Sequence, residues 1–322
     1  MDYPKSVPGV GLIDGRFVNE DPIAGRAGSL IPAEWGNAIT DEILAVIALA
    51  DMQPNEQNNA QLVEAIGRIA YDHGLASQVS FPGASSGVRM SLSAASSTAS
   101  LSAAHIVLGA SSAGRLHRVS DFNRSLNLGI TGAGGIDTGS APANGYVAIY
   151  AILDPATGAT ALLATNTTGA MAPEVYGGTN MPADYTASAL VSVWPTNAAR
   201  QLTVGIQQGR QISIEVKGVL SSAAQVPAAT PLLIAGAVPP NAKTVSGYCA
   251  LSSSVAGAGS LSVLSSATVG SQLFGPQMST PAVAYSAPFN GLQLMTTQTI
   301  YYTATTSAGV MNAYIGISSY TI

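Results

Sequence analysis

Two short motifs in this sequence match patterns that occur in hydrolases. Residues 83–87 read Gly-Ala-Ser-Ser-Gly and fit the Gly-x-Ser-x-Gly pattern around a catalytic serine, and residues 137–139 read Asp-Thr-Gly, as in aspartic proteases. A nucleophilic serine of the first kind needs a sharp turn from a strand into a helix. The second motif needs another carboxylate that shares its proton. The sequence after residue 87 alternates like a strand and no second triplet exists, so we expect turns or loops, no catalytic residues and no enzymatic activity.

The remaining reactive side chains are few and scattered. His73, His105 and His117 lack the spacing of metal ligands. Cys249 is the only cysteine, which excludes an intrachain disulfide and Cys-based zinc sites, and its alternating surroundings predict a small buried side chain. Six carboxylates follow residue 74, and their spacing does not suggest the carboxylate pair of a glycosidase. We predict neither a metal site nor a cofactor.

Three arginines, Arg115, Arg118 and Arg124, form a small basic cluster. They are suited to contact phosphate or carboxylate groups on a surface polymer, and such binding would weaken as ionic strength rises. A solvated edge or a subunit contact is the alternative.

Charge is distributed unevenly along the chain. Residues 1–72 hold 15 of the 29 charged residues and a net charge of −7, whereas residues 218–322 hold one, Lys243. The overall net charge of −5 gives no reason to expect nucleic-acid binding. A short charged head joined to a long, Ser- and Thr-rich body indicates a molecule with an attachment end and a working end.

The first 74 residues have the pattern of a small helical head. Asp14 and Gly15 predict a tight hairpin turn, because this pair tolerates positive φ. A helix is predicted to begin at Pro32 and to be closed by Pro54, and a second one to end at Gly74. Such a head has a small core and is expected to need a partner. Apolar residues at helical spacing predict its core and attachment surface: Trp35, Ile39, Ile43, Ile47, Leu62 and Ile66.

The hydrophobic period changes from 3.6 to 2 after residue 74, which predicts strands. We expect a mainly β fold: a small N-terminal helical and hairpin head, then two β-sandwich-like domains of the jelly-roll or immunoglobulin-like kind. The predicted domains are an attachment domain at 1–74, a middle β-domain at 75–217 and a distal β-sandwich at 218–322. The predicted strands cover 88–93, 146–153, the return strand to 165, 212–217, 245–251, 260–264, 292–303 and 310–322.

The composition predicts an obligate homo-oligomer. Charged residues make up 9% of the chain and hydrophobic ones 47%, whereas an average soluble protein has roughly 25% charged residues. Apolar surface beyond one subunit's core is usually covered by subunit contacts. No run of apolar residues approaches the length of a membrane span, so we expect no membrane insertion, and the first residues do not resemble a secretory signal.

Short motifs occur in a specific order in the first quarter of the chain: Pro8-Gly9-Val10-Gly11, Asp14-Gly15-Arg16-Phe17, Asp21-Pro22, Ala33-Glu34-Trp35-Gly36-Asn37-Ala38, Asp41-Glu42-Ile43, Pro54-Asn55 and Gln61-Leu62-Val63-Glu64-Ala65-Ile66. This series resembles the N-terminal attachment segment of tail fibres from tailed bacteriophages and related phage-derived bacteriocins. Residues 132–139 and 181–188 are similar to body segments of such fibres.

The resemblance implies a virion structural protein that is made in the host cytoplasm and located in the tail. Fibres of this family are homotrimers; their N-terminal end docks on baseplate or tail proteins, and their C-terminal end contacts a glycan or protein on the host surface. Many also have a long repetitive shaft or a C-terminal chaperone domain, neither of which is visible here. A short fibre or a tail-tip adaptor fits this sequence.

Three functions follow as alternatives. The first is a tail fibre that recognises the host surface, the second is an adaptor that carries a separate receptor-binding protein, and the third is a polysaccharide depolymerase. For the first, we expect host contacts in the turn-rich stretch 274–291, and the near absence of charge predicts binding that is almost insensitive to salt. The candidate receptor contacts are Tyr285, Phe289 and Asn290; for Tyr285 a buried or trimer-lining position is the alternative.

Overall fold

A computed structural model describes residues 4–77, 81–110 and 116–322. The chain divides into two compact units, with the division between residues 78 and 79. We call the first unit the head and the second the body, and each is described by itself.

The head contains the two helices that the sequence predicts. Helix α1 spans Ala33–Leu49, and helix α2 spans Gln61–Ser77. Pro32 has extended backbone angles directly before α1, where its fixed φ and missing N–H suit the start of a helix. Helix α2 was expected to end at Gly74 and continues three residues further.

A tight hairpin precedes the helices, as predicted. Ile13 and Arg16 exchange two backbone hydrogen bonds of 3.0 Å each. The two residues between them, Asp14 and Gly15, have φ values of 52° and 75°. This turn requires positive φ at both positions, which Asp and Gly tolerate better than other residues.

The body is built from strands. In chain order they are β1 Ser85–Ser86, β2 Arg89–Leu92, β3 Thr98–Gly109, β4 Leu116–Asn127, β5 Tyr146–Leu153, β6 Thr160–Asn166, β7 Ala187–Pro195, β8 Gly205–Gln208, β9 Gln211–Ser222, β10 Val226–Leu233, β11 Thr244–Ser253, β12 Gly257–Leu264, β13 Gln272–Phe274, β14 Gln277–Met278, β15 Tyr285–Gln293, β16 Thr299–Thr306 and β17 Met311–Thr321.

These strands form two antiparallel sheets. The larger has twelve strands in the order β15-β11-β17-β9-β8-β2-β3-β7-β5-β6, and β1 and β4 also pair with β3. The smaller has five, in the order β10-β16-β12-β13, and β14 also pairs with β12. The sequence-based expectation of a mainly β chain with two helices in its head is therefore confirmed.

Strands β5 and β7 lie at the centre of the body's core. All eight residues of β5 are buried, as are the first eight of β7. Strand β5 is a continuous apolar run, and β7 is interrupted only by the buried Ser188 and Ser192, which is typical of strands covered on both faces. Trp194 of β7 is fully buried, and its indole N–H donates a 2.9 Å hydrogen bond to the carbonyl oxygen of Thr203.

In the body, a predicted domain boundary lies within a strand, and one predicted strand is interrupted. The boundary expected between residues 217 and 218 falls inside β9, which pairs with β8 on one side and β17 on the other. The boundary was predicted from the fall in charge after residue 217. Charged side chains face solvent and do not determine which strands pair, so this fall does not mark the end of a sheet. The strand expected at 292–303 is wrong, because β15 ends at Gln293 and β16 begins at Thr299, and Gln298 between them has a φ of 51°.

Candidate functional sites

The head has a small core. Ile47, Ala50 and Ala65 form its buried cluster, and Ile47 has 4% of its surface exposed. Val46 and Ile69 pack against this cluster from its edge. Ile47 is therefore the one predicted residue of the head that the structure places in its core.

The other five predicted residues of the head lie outside this cluster. Trp35 and Ile39 are half-buried, and the Trp35 ring meets Phe17 edge to face with 5.0 Å between ring centroids. The stripe that these five residues form on the helices is partly exposed to solvent, because too few side chains of the head pack over it. Three of them are exposed: Ile43 by 38%, Leu62 by 37% and Ile66 by 53%.

The two helices expose a set of large apolar side chains, which we call the helix apolar set: Ile43, Leu49, Leu62, Val63 and Ile66. Complete burial of such a side chain is worth about 1.5–3 kcal/mol. A protein surface that covered all five, which are partly buried already, would gain about 1 kcal/mol for each. The members of this set are the candidate docking residues of the two helices.

The candidate receptor contacts lie in a strand and not in a loop. Tyr285, Phe289 and Asn290 all belong to β15, which pairs with β11. Phe289 is 2% exposed and belongs to the body's core, so it is wrong as a receptor contact. The stretch 274–291 has the Pro and Ser content of a loop, but alternate residues from Tyr285 to Phe289 face the core, and that alternation places them in a strand.

The two remaining candidates differ in exposure. Tyr285 is half-buried, and its hydroxyl lies 3.1 Å from the hydroxyl of Ser279. Asn290 is exposed, and its backbone N–H and carbonyl group are both hydrogen-bonded to the side-chain amide of Gln272, at 3.0 and 2.9 Å. These two hydrogen bonds fix the backbone of Asn290, whose side chain is exposed at the surface.

The serine of the Gly-x-Ser-x-Gly match does not occupy a strand-to-helix turn. Ser85 lies in β1 and pairs with Ile106 of β3, and the next element in the chain is the strand β2. The serine therefore lies in a short strand beside β3, and a strand follows it, as the alternation after residue 87 predicted.

The predicted basic cluster is not a compact patch. Arg118 and Arg124 lie six residues apart on β4, which separates their Cα atoms by about 20 Å at the rise of a strand. Arg124 donates hydrogen bonds to the carbonyl oxygens of Thr160 and Asn123, at 2.9 and 2.7 Å. Arg115 lies outside the described residues, as does the side chain of His73.

Residues 167–186 form a long connection between β6 and β7, which we call the strap. The Tyr176 hydroxyl in the strap donates a 2.8 Å hydrogen bond to the Asp137 carboxylate, and its ring meets Tyr150 of β5 edge to face. Burial and the bond to Asp137 raise the pKa of Tyr176 to about 12. Asp137 of the protease-like triplet thus accepts a structural hydrogen bond from the strap.

A buried asparagine holds the strap at a second point. The Asn241 side chain accepts a 2.9 Å hydrogen bond from the Ala172 N–H and donates one of 2.8 Å to the Ala172 carbonyl oxygen. Next to it, the Tyr150 hydroxyl donates a 2.8 Å hydrogen bond to the carbonyl oxygen of Pro173. These bonds pair backbone groups that would otherwise be unsatisfied in the protein interior.

Pro-x-Asn occurs four times, at 142–144, 195–197, 239–241 and 288–290, and the third copy supplies Asn241. The first two copies contact each other. The Asn144 N–H donates a 3.0 Å hydrogen bond to the carbonyl oxygen of Asn197, and the Thr196 hydroxyl donates one of 2.7 Å to the carbonyl oxygen of Pro142. Turn chemistry explains their presence in the sequence, but the sequence contains no signal for these long-range contacts.

A cavity of about 400 Å³ lies beside the anchored part of the strap. The strap, the turn at 240–243 and the segment at 294–297 enclose it together with Leu190, Arg210 and Ile322. Its charged residues are Glu174, Arg210 and Lys243; most of the others are apolar: Met171, Ala172, Pro173, Leu190, Pro240, Ala242, Leu294, Met295 and Ile322.

An ion pair fixes one wall of this cavity. Arg210 donates two hydrogen bonds to the Glu174 carboxylate, Nη1 to Oε1 at 3.1 Å and Nη2 to Oε2 at 2.7 Å, and Nη2 also contacts the carbonyl oxygen of Gly83 at 3.3 Å. A Cβ atom on Gly83 would lie 2.5 Å from Nη2 and 2.8 Å from Oε2. A side chain at this position would displace the ends of Arg210 and Glu174, and the φ of 89° at Gly83 also favours glycine.

Lys243 is the remaining charged residue of the cavity. It is exposed, and it has no carboxylate within ion-pair distance among the described residues. Its backbone is fixed on both sides, because its N–H donates to the carbonyl oxygen of Thr321 and its carbonyl oxygen accepts from the N–H of Leu294, both at 2.8 Å.

Neither a metal cluster nor a membrane helix is found in the described part of the chain. No three His, Cys, Asp or Glu side chains of residues 4–77, 81–110 and 116–322 come together as metal ligands would. Within the same ranges, neither helix has the length and hydropathy needed to cross a membrane. Cys249 is buried between Ala287 and Ile315 of the neighbouring strands, as its alternating surroundings predicted.

Comparison of the sequence with models of known protein families and with curated proteins gives no match. The site assignments therefore depend on the geometry above.

Proposed function

We propose that this chain is a virion structural protein, a homotrimeric tail fibre whose head docks on baseplate or tail proteins. The observation that carries the proposal is the helix apolar set, because a three-residue buried cluster leaves these side chains without a core of their own. A head of this kind is stabilised when a neighbouring subunit or a tail protein covers it. The resemblance of its motifs to fibre attachment segments supports the same function.

The body suits the exposed part of such a particle. In the proposal its strands form two sandwich-like halves joined through β9, and three copies pack side by side. The single charged residue at 218–322 is compatible with subunits that pack closely without unpaired charges. The body would then project towards the host surface, on which the fibre recognises a glycan or protein.

An adaptor that carries a separate receptor-binding protein is the second candidate. It is favoured by the position of Phe289 in the core and of Tyr285 in a paired strand, because a terminal adhesin was expected to present these residues on a loop. Adsorption separates the two functions: purified full-length fibre binds host cells by itself, whereas an adaptor does not.

Two aspartate substitutions on helix α1 test the docking role of the head. Ile47→Asp places a charge in the buried cluster and is expected to unfold the head, at a cost of several kcal/mol. Ile43→Asp changes a 38% exposed residue and is expected to leave the helices folded but to reduce incorporation into tailed particles. Asn37→Asp adds the same charge at an exposed position of α1 and serves as the control.

Circular dichroism at 222 nm reports helix content, and quantitative immunoblotting of purified particles reports incorporation. Normal incorporation of the Ile43→Asp variant would contradict the docking role. Sedimentation equilibrium of the full-length chain is expected to give three times the 32.4 kDa chain mass, and a monomer at micromolar concentration would contradict the trimer.

A further inference from the structure

The two helices that expose the helix apolar set are also strongly acidic. We call residues 33–71, from the start of α1 through most of α2, the helix pair; it contains one arginine, no lysine and six carboxylates, which gives it a net charge of −5. Arg68 is exposed. The six carboxylates are exposed as well: Glu34, Asp41, Glu42, Asp51, Glu56 and Glu64. The helix pair therefore combines exposed apolar side chains with a high density of negative charge.

The stability of the helices accounts for only part of this charge. Glu34 and Glu64 lie in the first turns of α1 and α2, where the helix dipole favours negative charge. Asp51 directly follows the C-terminal end of α1, where the dipole disfavours it. Over the length that the structure describes, neither helix has a Lys or Arg in its last turn. The acidic excess is therefore better explained by the surface that the helix pair meets than by its own stability.

Three members of the helix apolar set adjoin the buried cluster of the head, to which Ile47 and Ala65 belong. Ile43 lies four residues before Ile47 on α1. Leu62 lies three residues before Ala65 and four before Ile66 on α2. Residues three or four apart are neighbours on the surface of a helix. Ile43, Leu62 and Ile66 therefore continue the apolar contacts of the cluster towards solvent.

The charge of the helix pair selects between two kinds of occupant. A second copy that packed its own helix pair here would bring another five negative charges, and like charges across an interface disfavour association. Residues 4–32 offer no compensation, because their three basic and three acidic residues cancel and Arg26 lies 3.7 Å from Asp21. In the body, Arg118 and Arg124 lie about 20 Å apart along β4. A concentrated positive surface is therefore expected on a different protein.

We infer that the helix apolar set binds an apolar surface of a different protein, and that this surface is bordered by lysines or arginines. The apolar side chains supply the contact area, and the carboxylates of the helix pair face the basic border, which speeds association and fixes orientation. This partner chemistry rests on the proposed docking role of the head. Copies of the chain itself do not cover the set.

Fluorescence anisotropy with the full-length protein and three labelled, synthetic helical peptides tests the inference. Two peptides have the same leucine stripe, bordered by lysines in the first and by glutamates in the second. The third has the lysine border, but its leucines are replaced by glutamines. We expect saturable binding of the lysine–leucine peptide at micromolar concentration and at least tenfold weaker binding of the other two. Raising NaCl from 0.1 to 1 M, which shortens the Debye length from about 10 to 3 Å, is expected to weaken binding severalfold.

Substitutions of apolar residues by glutamine locate the binding site. Leu62→Gln with Ile66→Gln removes two exposed apolar side chains from α2 and retains good helix formers; it is expected to weaken binding of the lysine–leucine peptide at least tenfold. Ile23→Gln changes a fully exposed apolar residue outside the helices and is expected to leave binding unchanged. Circular dichroism at 222 nm verifies that the helices of both variants are folded.

A second matched pair tests the charge. Glu56→Gln with Glu64→Gln removes two carboxylates from the helix pair and is expected to weaken binding of the lysine–leucine peptide severalfold. Glu20→Gln with Glu215→Gln makes the same change in net charge at two exposed positions outside the helix pair, and it is expected to leave binding unchanged.

Four results would overturn the inference: no saturable binding of the lysine–leucine peptide, equal binding of the glutamate–leucine or the lysine–glutamine peptide, an equal loss of binding in a variant and its matched control, or a lower sedimentation mass of the Leu62→Gln, Ile66→Gln variant than of the parent chain. The last result would show that copies of the chain cover the set.

These outcomes are separate from the test of the fibre. A chain that is absent from tailed particles but selects the lysine–leucine peptide through Leu62 and Ile66 would refute the fibre alone. A chain that is incorporated into particles but does not distinguish the peptides would refute the basic partner alone.

Discussion

Asn241 offers a direct test of how the strap is held. Its side chain makes two hydrogen bonds to the backbone of Ala172, at 2.9 and 2.8 Å, and 8% of its surface is exposed. Asn241→Ala removes both partners and leaves a buried N–H and a buried carbonyl group unsatisfied. Each such group costs about 1–3 kcal/mol, so we expect the body to lose about 2–4 kcal/mol of unfolding free energy.

The measurement is urea unfolding of the full-length chain at a fixed protein concentration. The chain has two tryptophans, Trp35 in the head and Trp194 buried in the body. A Trp35→Phe background leaves Trp194 as the single fluorescent reporter of the body. Asn123→Ala, at an exposed position of β4, is the control and is expected to change the free energy by less than about 0.5 kcal/mol.

A second variant separates the two hydrogen bonds. Asn241→Asp keeps an oxygen that accepts from the Ala172 N–H, but it places a carboxylate opposite the Ala172 carbonyl oxygen. We expect it to destabilise the body at neutral pH and to recover part of the loss at low pH, where a protonated carboxyl group can donate. If Asn241→Ala unfolds within about 0.5 kcal/mol of the parent chain, the strap is not held by these bonds.

Three further predictions concern the body. Gly83→Ala is expected to lower the urea midpoint of unfolding more than Gly132→Ala. Both glycines have positive φ, 89° and 94°, but only a Cβ atom on Gly83 would meet the Arg210–Glu174 pair. Equal effects of the two substitutions would contradict the steric argument. Cys249 is buried and its pKa is raised to about 12 by burial, so Ellman's reagent at pH 8 should titrate one thiol in denaturant and none in the native chain; a native thiol that reacts as fast as the denatured one would refute its burial. The pKa of Tyr176 is about 12 in the folded chain and about 10 in an unfolded one. Between these values the folded chain keeps a proton that the unfolded chain loses, so the free energy of unfolding falls as pH rises from 10 towards 12. A Tyr176→Phe variant should show a smaller fall between pH 9 and 11, and a pH profile identical to that of the parent chain would argue against this shift.

Local patterns predicted much of the fold. Apolar spacing and the positions of proline and glycine located both helices, and the run from Tyr146 to Leu153 coincides with β5. The Asp154–Gly158 turn forms as its residues predict: the Asp154 carboxylate accepts from the Ala156 N–H at 2.9 Å, and Gly158 has a φ of 76°. These features depend on a few neighbouring residues, which is why a single sequence reveals them.

Features set by long-range pairing were not predicted. Strands β3 and β4 form a long hairpin, but their many Ala and Ser residues carry a weak hydrophobic alternation. Ile43, Leu62 and Ile66 were expected to belong to the core and attachment surface of the head but are exposed, because spacing reveals which side chains share a face but not whether anything covers it. Arg210 and Glu174 lie 36 residues apart, and their pairing follows from the register of sheets that no local pattern encodes.

The central claim is that the head attaches this chain to a tailed particle. Electron cryo-microscopy of tailed particles isolated from the source organism tests it most directly. The account predicts three copies of the chain around each attachment point, with Ile43, Leu62 and Ile66 covered by neighbouring subunits or tail proteins. Particles that lack the chain, or in which these three side chains face solvent while the β-body makes the contacts with the tail, would contradict it.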